Sequence, residues 1–289
     1  MFRPAPVTKA VLRVMAILYL PLHMFRGRDV ELKTILLGQR PARVWTGGTG
    51  EAIVLLHGGW AGAEAYWSTV TDDLERTHLI VAPELPLIHS PEGLPSFGAY
   101  AAWLAELLMA LGIERATLVG NSLGATIAWR FAGQYPERSA GLVLVNGYQP
   151  PGYSKMLRWL AGETPIRRLA RGNLQRLHFG REVLPLAFHD RSKVPAEIAR
   201  TLDTFTTADA DRVLDVLLSG EEAAPPPKGS VLLIFGEADR SPVLDKHGAR
   251  KMRLSLEQSR LVTIPEAGHL PQIERPAEFL RALRGFLKR

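Results

Sequence analysis

Cysteine is absent from all 289 residues. Its absence excludes disulfides, thiolate metal sites and cysteine nucleophiles, and it leaves the redox compartment open. No internal repeat or low-complexity tract is visible. An apolar run long enough to cross a bilayer is missing too. Val11 to Leu22 is strongly apolar, but Arg13 interrupts it and Pro21 breaks it. It falls short of the roughly 20 apolar residues that a spanning helix needs. Its length suits a signal-peptide core, yet Phe25-Arg26-Gly27-Arg28 offers no small-residue cleavage site. Residues 1–28 therefore read as a separate apolar and basic segment. The expectation is a short amphipathic helix packed on the body or resting on a membrane surface. A cytoplasmic location is the expectation, with peripheral membrane contact through residues 1–27 as the alternative to packing on the body.

What is present suits one large α/β domain carrying an insertion. Apolar residues make up 46% of the chain, which is ordinary for a globular protein. Strand-like runs are expected near 30–37, 42–46, 52–56, 78–82, 115–120, 141–146, 231–235 and 259–264. Helical patterns alternate with them near 64–76, 98–111, 123–134, 243–252 and 276–287. Such alternation implies a mostly parallel sheet covered on both faces. The first two strands have no helix between them and are expected to pair antiparallel at an edge. Between Asn146 and the breaker Pro225-Pro226-Pro227-Lys228-Gly229 the pattern is helical without strand-like runs. That stretch is too long for a loop in a compact domain. The expected division is 1–28, a core of 29–147 with 229–289, and an insertion of 148–228.

The most informative residues are Gly120-Asn121-Ser122-Leu123-Gly124, a G-x-S-x-G nucleophile elbow. The short run Ala116-Thr117-Leu118-Val119 precedes it, and a helical segment from Ala125 follows. Ser122 thus sits at a strand-to-helix turn, where the helix N-terminus favours a developing oxyanion. An acid and a histidine follow in the required chain order, each after a strand. Asp239 lies beyond Val231-Leu232-Leu233-Ile234-Phe235, and His269 lies beyond Leu261-Val262-Thr263-Ile264. Glu237 is a rival acid two residues before Asp239. Open α/β sheets place their chemistry at these strand ends.

With Leu56-His57-Gly58-Gly59-Trp60, these phrases resemble the α/β-hydrolase fold enzymes, in particular the capped serine hydrolases. The resemblance implies a mostly parallel eight-stranded sheet flanked by helices, with residues 148–228 as a helical cap. It implies a triad of Ser122 as nucleophile, His269 as general base and Asp239 as its orienting acid. The N–H groups of Gly59 and Leu123 would form the oxyanion hole, with Trp60 as the alternative to Gly59. Trp60 and His89 are candidate pocket residues. His57 reads as an organiser of its turn rather than a base. The family's usual Asp-x-Pro-Gly-x-Gly-x-Ser becomes Glu84-Leu85-Pro86-Leu87-Ile88-His89-Ser90, so both glycines are lost and the loop's backbone should differ. Some relatives keep their acid one strand earlier, where this chain has Asn146.

The implied activity is hydrolysis of an ester-like or activated carbonyl through an acyl-enzyme, with no metal and no organic cofactor. A carboxylic ester is the favoured bond. The alternatives are a carbon–carbon bond hydrolase of ring-fission diketones, whose His-Gly-Gly-Gly-Pro-Gly-Ala is partly matched by His57 to Ala63, and a non-catalytic binding protein. The expected partner is a small molecule with an apolar acyl or ketone part. Lys and Arg total 35 against 29 Asp and Glu. Residues 151–200 alone hold ten basic and four acidic residues, so the insertion is the basic part. No nucleic-acid module accompanies that charge, and nucleic acid is not expected as a partner.

Overall fold

The computed structural model describes residues 30–87, 93–147, 155–162, 165–221, 224–241, 253, 256 and 258–288. The N-terminal segment, His89 and the expected helix over 243–252 lie outside these residues.

Eight strands are present: β1 (Glu31–Leu37), β2 (Arg40–Gly47), β3 (Ala52–Leu56), β4 (Leu79–Pro83), β5 (Ala116–Asn121), β6 (Ser139–Val145), β7 (Val231–Gly236) and β8 (Ser259–Ile264). They form one sheet in the order β1-β2-β4-β3-β5-β6-β7-β8. The pairs from β4 to β8 are parallel, whereas β2 runs antiparallel to both β1 and β4. The central strands follow from their sequences. β3 reads Ala-Ile-Val-Leu-Leu and β7 reads Val-Leu-Leu-Ile-Phe-Gly, and every residue of both is buried. A strand covered on both faces has no polar side to present, so continuous apolar runs replace alternation. At the edge, β1 alternates between half-buried and exposed residues over most of its length.

The outer β1–β2 hairpin closes through Gly38, whose φ of +60° is a left-handed value that glycine reaches without strain. This turn pairs Leu37 with Arg40, so β2 starts two residues before the expected 42.

Helices flank the sheet: α1 (Ala63–Leu74), α2 (Phe97–Ala110), α3 (Leu123–Gln134), and, after the insertion, the one-turn α9 (Pro271–Glu274) and α10 (Pro276–Leu287). α1 packs with α9 and α10, and α2 packs with α3. Ser96 caps α2 by accepting a hydrogen bond from Ala99 N–H at 3.2 Å. In α10, Phe279, Leu283 and Phe286 recur at helical spacing and are buried, with Pro276 at the first position.

Between β6 and β7 the described residues form helices and no strand: α4 (Lys155–Gly162), α5 (Arg167–Phe179), α6 (Leu184–Ala187), α7 (Ala196–Thr204) and α8 (Thr207–Leu218). Thr206 and Asp209 cap α8 reciprocally, as a capping box.

Candidate active site

Ser122 lies between β5 and α3 with φ of 53° and ψ of −116°. A non-glycine residue rarely adopts such a backbone, and the strain persists only where surroundings enforce it. The surroundings are tight. A Cβ at Gly120 would collide with the Gly124 carbonyl, and one at Gly124 would collide with the Leu56 carbonyl. Glycine at both positions is what allows β5, α3 and the end of β3 to converge on the serine. Ser122 N–H donates to Val145 O at 2.9 Å, which anchors the turn to β6.

The His269 ring is buried, and its Nδ1 stands 2.6 Å from Asp239 Oδ2. Asp239 is buried as well, and its second oxygen accepts the Ser241 N–H at 2.8 Å. The carboxylate therefore fixes which ring nitrogen carries the proton. His269 Nε2 is buried and has no hydrogen-bond partner among the described residues. Glu237, the rival acid, is exposed.

Two asparagines and a glutamate join these loops, and none of the three stands out in the sequence as a positioning group. Asn121 Nδ2, one residue before the serine, donates to the His269 carbonyl at 3.1 Å and to Val145 O at 3.1 Å. Asn146 occupies the strand end where some relatives keep the acid. Its Nδ2 donates to Gly268 O at 2.6 Å, and its Oδ1 accepts from Gly236 N at 2.9 Å. It thereby ties the histidine loop to the acid loop. Glu274 is buried, accepting Gly268 N–H on one oxygen at 2.6 Å and Asp190 N–H on the other at 2.8 Å. The only sequence signal for Glu274 is a carboxylate inside the apolar context of Pro271 and Ile273.

The insertion is hydrogen-bonded to the same loops. His269 N–H donates to Ala187 O at 2.5 Å, and Arg240 N–H donates to Leu186 O at 2.9 Å. Lys193 Nζ donates to the Glu274 carbonyl at 2.7 Å.

Across from His269, the loop after β3 holds Gly59 and Trp60. The Trp60 indole lies 5.0 Å from the His269 ring, centroid to centroid. Its Nε1–H donates to His178 O in α5 at 2.9 Å. Trp60 N–H donates to the Tyr66 hydroxyl at 3.3 Å, so that amide already has an acceptor. Phe179 packs over Gly59 and stacks on Phe205, with centroids 4.7 Å apart. The neighbouring His178 is pushed down to about 4 by burial, so its ring is neutral at ordinary pH.

His57 holds the loop beneath. Its Nε2 accepts Leu85 N–H at 2.9 Å, which places the ring proton on Nδ1, 2.7 Å from Gly58 O. Burial lowers its pKa, against the opposing pull of Glu84 and the Gly58 carbonyl. Its hydrogen bonds are those of a turn organiser. The departing loop after β4 is built around the same ring. Leu87 is fully buried, and Glu84 accepts both Trp45 Nε1–H at 2.7 Å and Ala63 N–H at the start of α1 at 3.1 Å.

Fold and elbow together define a hydrolase of the α/β class. The Alpha/beta hydrolase family profile matches residues 53–282, and the chain belongs to that family. It is 27% identical over 282 residues to the 2-hydroxy-6-oxo-2,4-heptadienoate hydrolase of Pseudomonas putida, covering 88% of this chain and 95% of that one. It is 26% identical over 271 residues to the 2-hydroxy-6-oxo-6-phenylhexa-2,4-dienoate hydrolase of Comamonas testosteroni, covering 83% and 89%. Among solved structures, a membrane phospholipase A superimposes with a TM-score of 0.71 at 23% identity, over 96% of this chain and 90% of that one. At that identity the likeness concerns the fold.

Proposed function

We propose that the protein is a serine hydrolase whose reaction runs through Ser122, His269 and Asp239. The observation that carries this reading is the buried 2.6 Å contact between His269 and Asp239, joined by Asn121 to the strained elbow. His269 Nε2 takes the Ser122 proton as Oγ attacks a carbonyl carbon. Asp239 holds the tautomer and stabilises the imidazolium. The alkoxide that forms is met by the N–H groups of Gly59 and Leu123 at the head of α3. Trp60 is the weaker candidate for that role, because its amide is bonded to Tyr66. The bond to the leaving group then breaks, and the leaving group takes the proton from His269. Water attacks the acyl-enzyme by the same steps and regenerates the serine. No step requires a metal or an organic cofactor. Residues 148–228 act as a cap, with Phe179 and Phe205 providing an apolar wall above Gly59.

Of the two bonds in question, the curated relatives support carbon–carbon cleavage better than the carboxylic ester favoured on sequence alone. Both relatives named above hydrolyse 2-hydroxy-6-oxodienoates, and they align along most of this chain. The proposed substrate is accordingly a dienoate with a ketone, cleaved beside that ketone. One observation keeps the ester as a second reading. Trp60 and Ala61 stand where the carbon–carbon hydrolase motif has Gly and Pro, and the Trp60 indole fills space beside His269.

A fluorophosphonate should label the wild type at Ser122 and leave Ser122→Ala unlabelled. Equal labelling of both would overturn the serine mechanism. A panel of p-nitrophenyl esters of rising chain length, run beside a ring-fission diketone, separates the two substrates by kcat/KM.

A further inference from the structure

We propose that the outer face of α5 is a docking surface for anionic phospholipid bilayers. Eight large apolar side chains are exposed among the described residues, and six of them fall between 156 and 186. Met156 and Trp159 on α4 are 71% and 56% exposed, and Ile166 and Leu169 at the head of α5 are 53% and 66% exposed. Leu177 is exposed further along α5. At 3.6 residues per turn, Ile166, Leu169, Asn173 and Leu177 fall on one outward stripe. α4 packs against α5, and its Trp159 borders a cleft with Arg171, Asp215 and Leu218 on the α8 side of α5. The opposite side of α5 is turned inward, where Leu174 and Phe179 are buried. Soluble monomers rarely gather exposed apolar side chains in one region without a partner for them.

Charge identifies the partner. Residues 155–181 carry seven basic residues and one acidic residue. Arg171 is neutralised by Asp211 and Asp215, and Arg181 pairs with Asp203. Arg167 and Arg168 are exposed, and neither is paired with a carboxylate among the described residues. Arg176 borders the stripe and bonds Asn173 Oδ1. Exposed aliphatic side chains flanked by arginines match an anionic interface, where the apolar groups enter the headgroup layer and the guanidinium groups meet phosphates.

The chain's own N-terminal segment is a poor occupant for this face. Residues 1–28 carry five basic residues and no acidic one, so they repel it. A second copy presents the same charge. Docking here would set the insertion against the bilayer, the phase in which apolar substrates concentrate.

The test uses full-length protein and vesicles of phosphatidylglycerol with phosphatidylcholine, beside pure phosphatidylcholine. Wild type should co-sediment with the anionic vesicles, release as salt rises, and ignore the neutral ones. Ile166→Glu with Leu169→Glu should weaken that partitioning by about tenfold or more. Arg167→Gln with Arg168→Gln should weaken it and flatten the salt dependence. Unchanged thermal melting would show that both variants remain folded. Wild type that binds neither vesicle overturns the proposal, as do variants that bind like wild type, since residues 1–28 would then carry the binding. A wild-type dimer that the variants dissolve, with no vesicle binding, also overturns it and assigns the face to a second copy.

Discussion

The loops at the ends of β3, β5, β7 and β8 and the helices of the insertion were built under different constraints. In the loops, backbone geometry dictates residue type. Gly120 and Gly124 are there because a Cβ would strike a carbonyl, and Ser122 must hold an unfavourable φ. In the insertion, amphipathic helices need only an apolar inner stripe, and many sequences satisfy that. The difference teaches where reaction and preference reside. On the proposed function, the loops define what happens to a carbonyl, while the insertion governs which carbonyl arrives. Yet the two are not independent, because Ala187, Leu186, Asp190 and Lys193 are hydrogen-bonded to the histidine and acid loops.

The sharpest way to break the comparison is at the loops themselves. Ser122→Ala or His269→Ala should lower kcat by about 10³–10⁶ and leave the fold intact, since the covalent partner or its base is lost. Retention of more than half the activity in Ser122→Ala would reassign the nucleophile. Next in size is the acid. Asp239→Asn should lower kcat by about 10²–10⁴ by favouring the wrong tautomer, and Glu237→Gln by less than about tenfold. The opposite order would move the role to Glu237.

Glu274→Gln tests whether loops and insertion act as one unit. Its carboxylate accepts one N–H beside His269 and one from the insertion. A glutamine amide offers a single acceptor oxygen, so one buried N–H loses its partner. We expect about a tenfold loss in kcat with a smaller change in KM, together with a lower melting temperature. Loss of stability alone, with kcat unchanged, would mean that the insertion can shift without disturbing His269.

Most of the sheet was legible because buried parallel strands must be apolar throughout, as in Ile53 to Leu56 and Leu232 to Phe235. Ser122, Asp239 and His269 were legible as candidates because elbow and chain order leave a written pattern. Arg40 and Pro41 carry no strand signal, and only the turn at Gly38 draws them into β2. Asn121, Asn146 and Glu274 were not visible as positioning groups. Their role lies in hydrogen bonds to backbone atoms up to 148 residues away in the chain, and side-chain type does not announce such partners. The antiparallel pairing of β2 with β4 was equally silent, since pairing order is a property of the folded sheet. The outward stripe of α5 could be counted as residues, but which side faced out depended on what α5 packs against.

The smallest effect is expected where the insertion overhangs the loop after β4. Glu197 of α7 is pushed up to about 7, first by burial and then by the negative charges of Glu84 and Glu64. Glu84 cannot easily leave, because it bonds Trp45 and the first turn of α1. The folded state thus holds the Glu197 proton more tightly than the unfolded chain, whose glutamates titrate near 4.5. The protonated contact contributes its full stability below pH about 4.5, and that contribution is lost as pH rises through about 7. Above that, a charged carboxylate faces two others. Glu197→Gln keeps the shape without the charge, so it should raise the melting temperature at pH 8 and do little at pH 5. Differential scanning calorimetry across that range measures both. An equal shift at the two pH values would place the benefit in packing. No shift at either would mean that α7 swings away from Glu84, leaving the insertion looser over this loop than over the histidine loop.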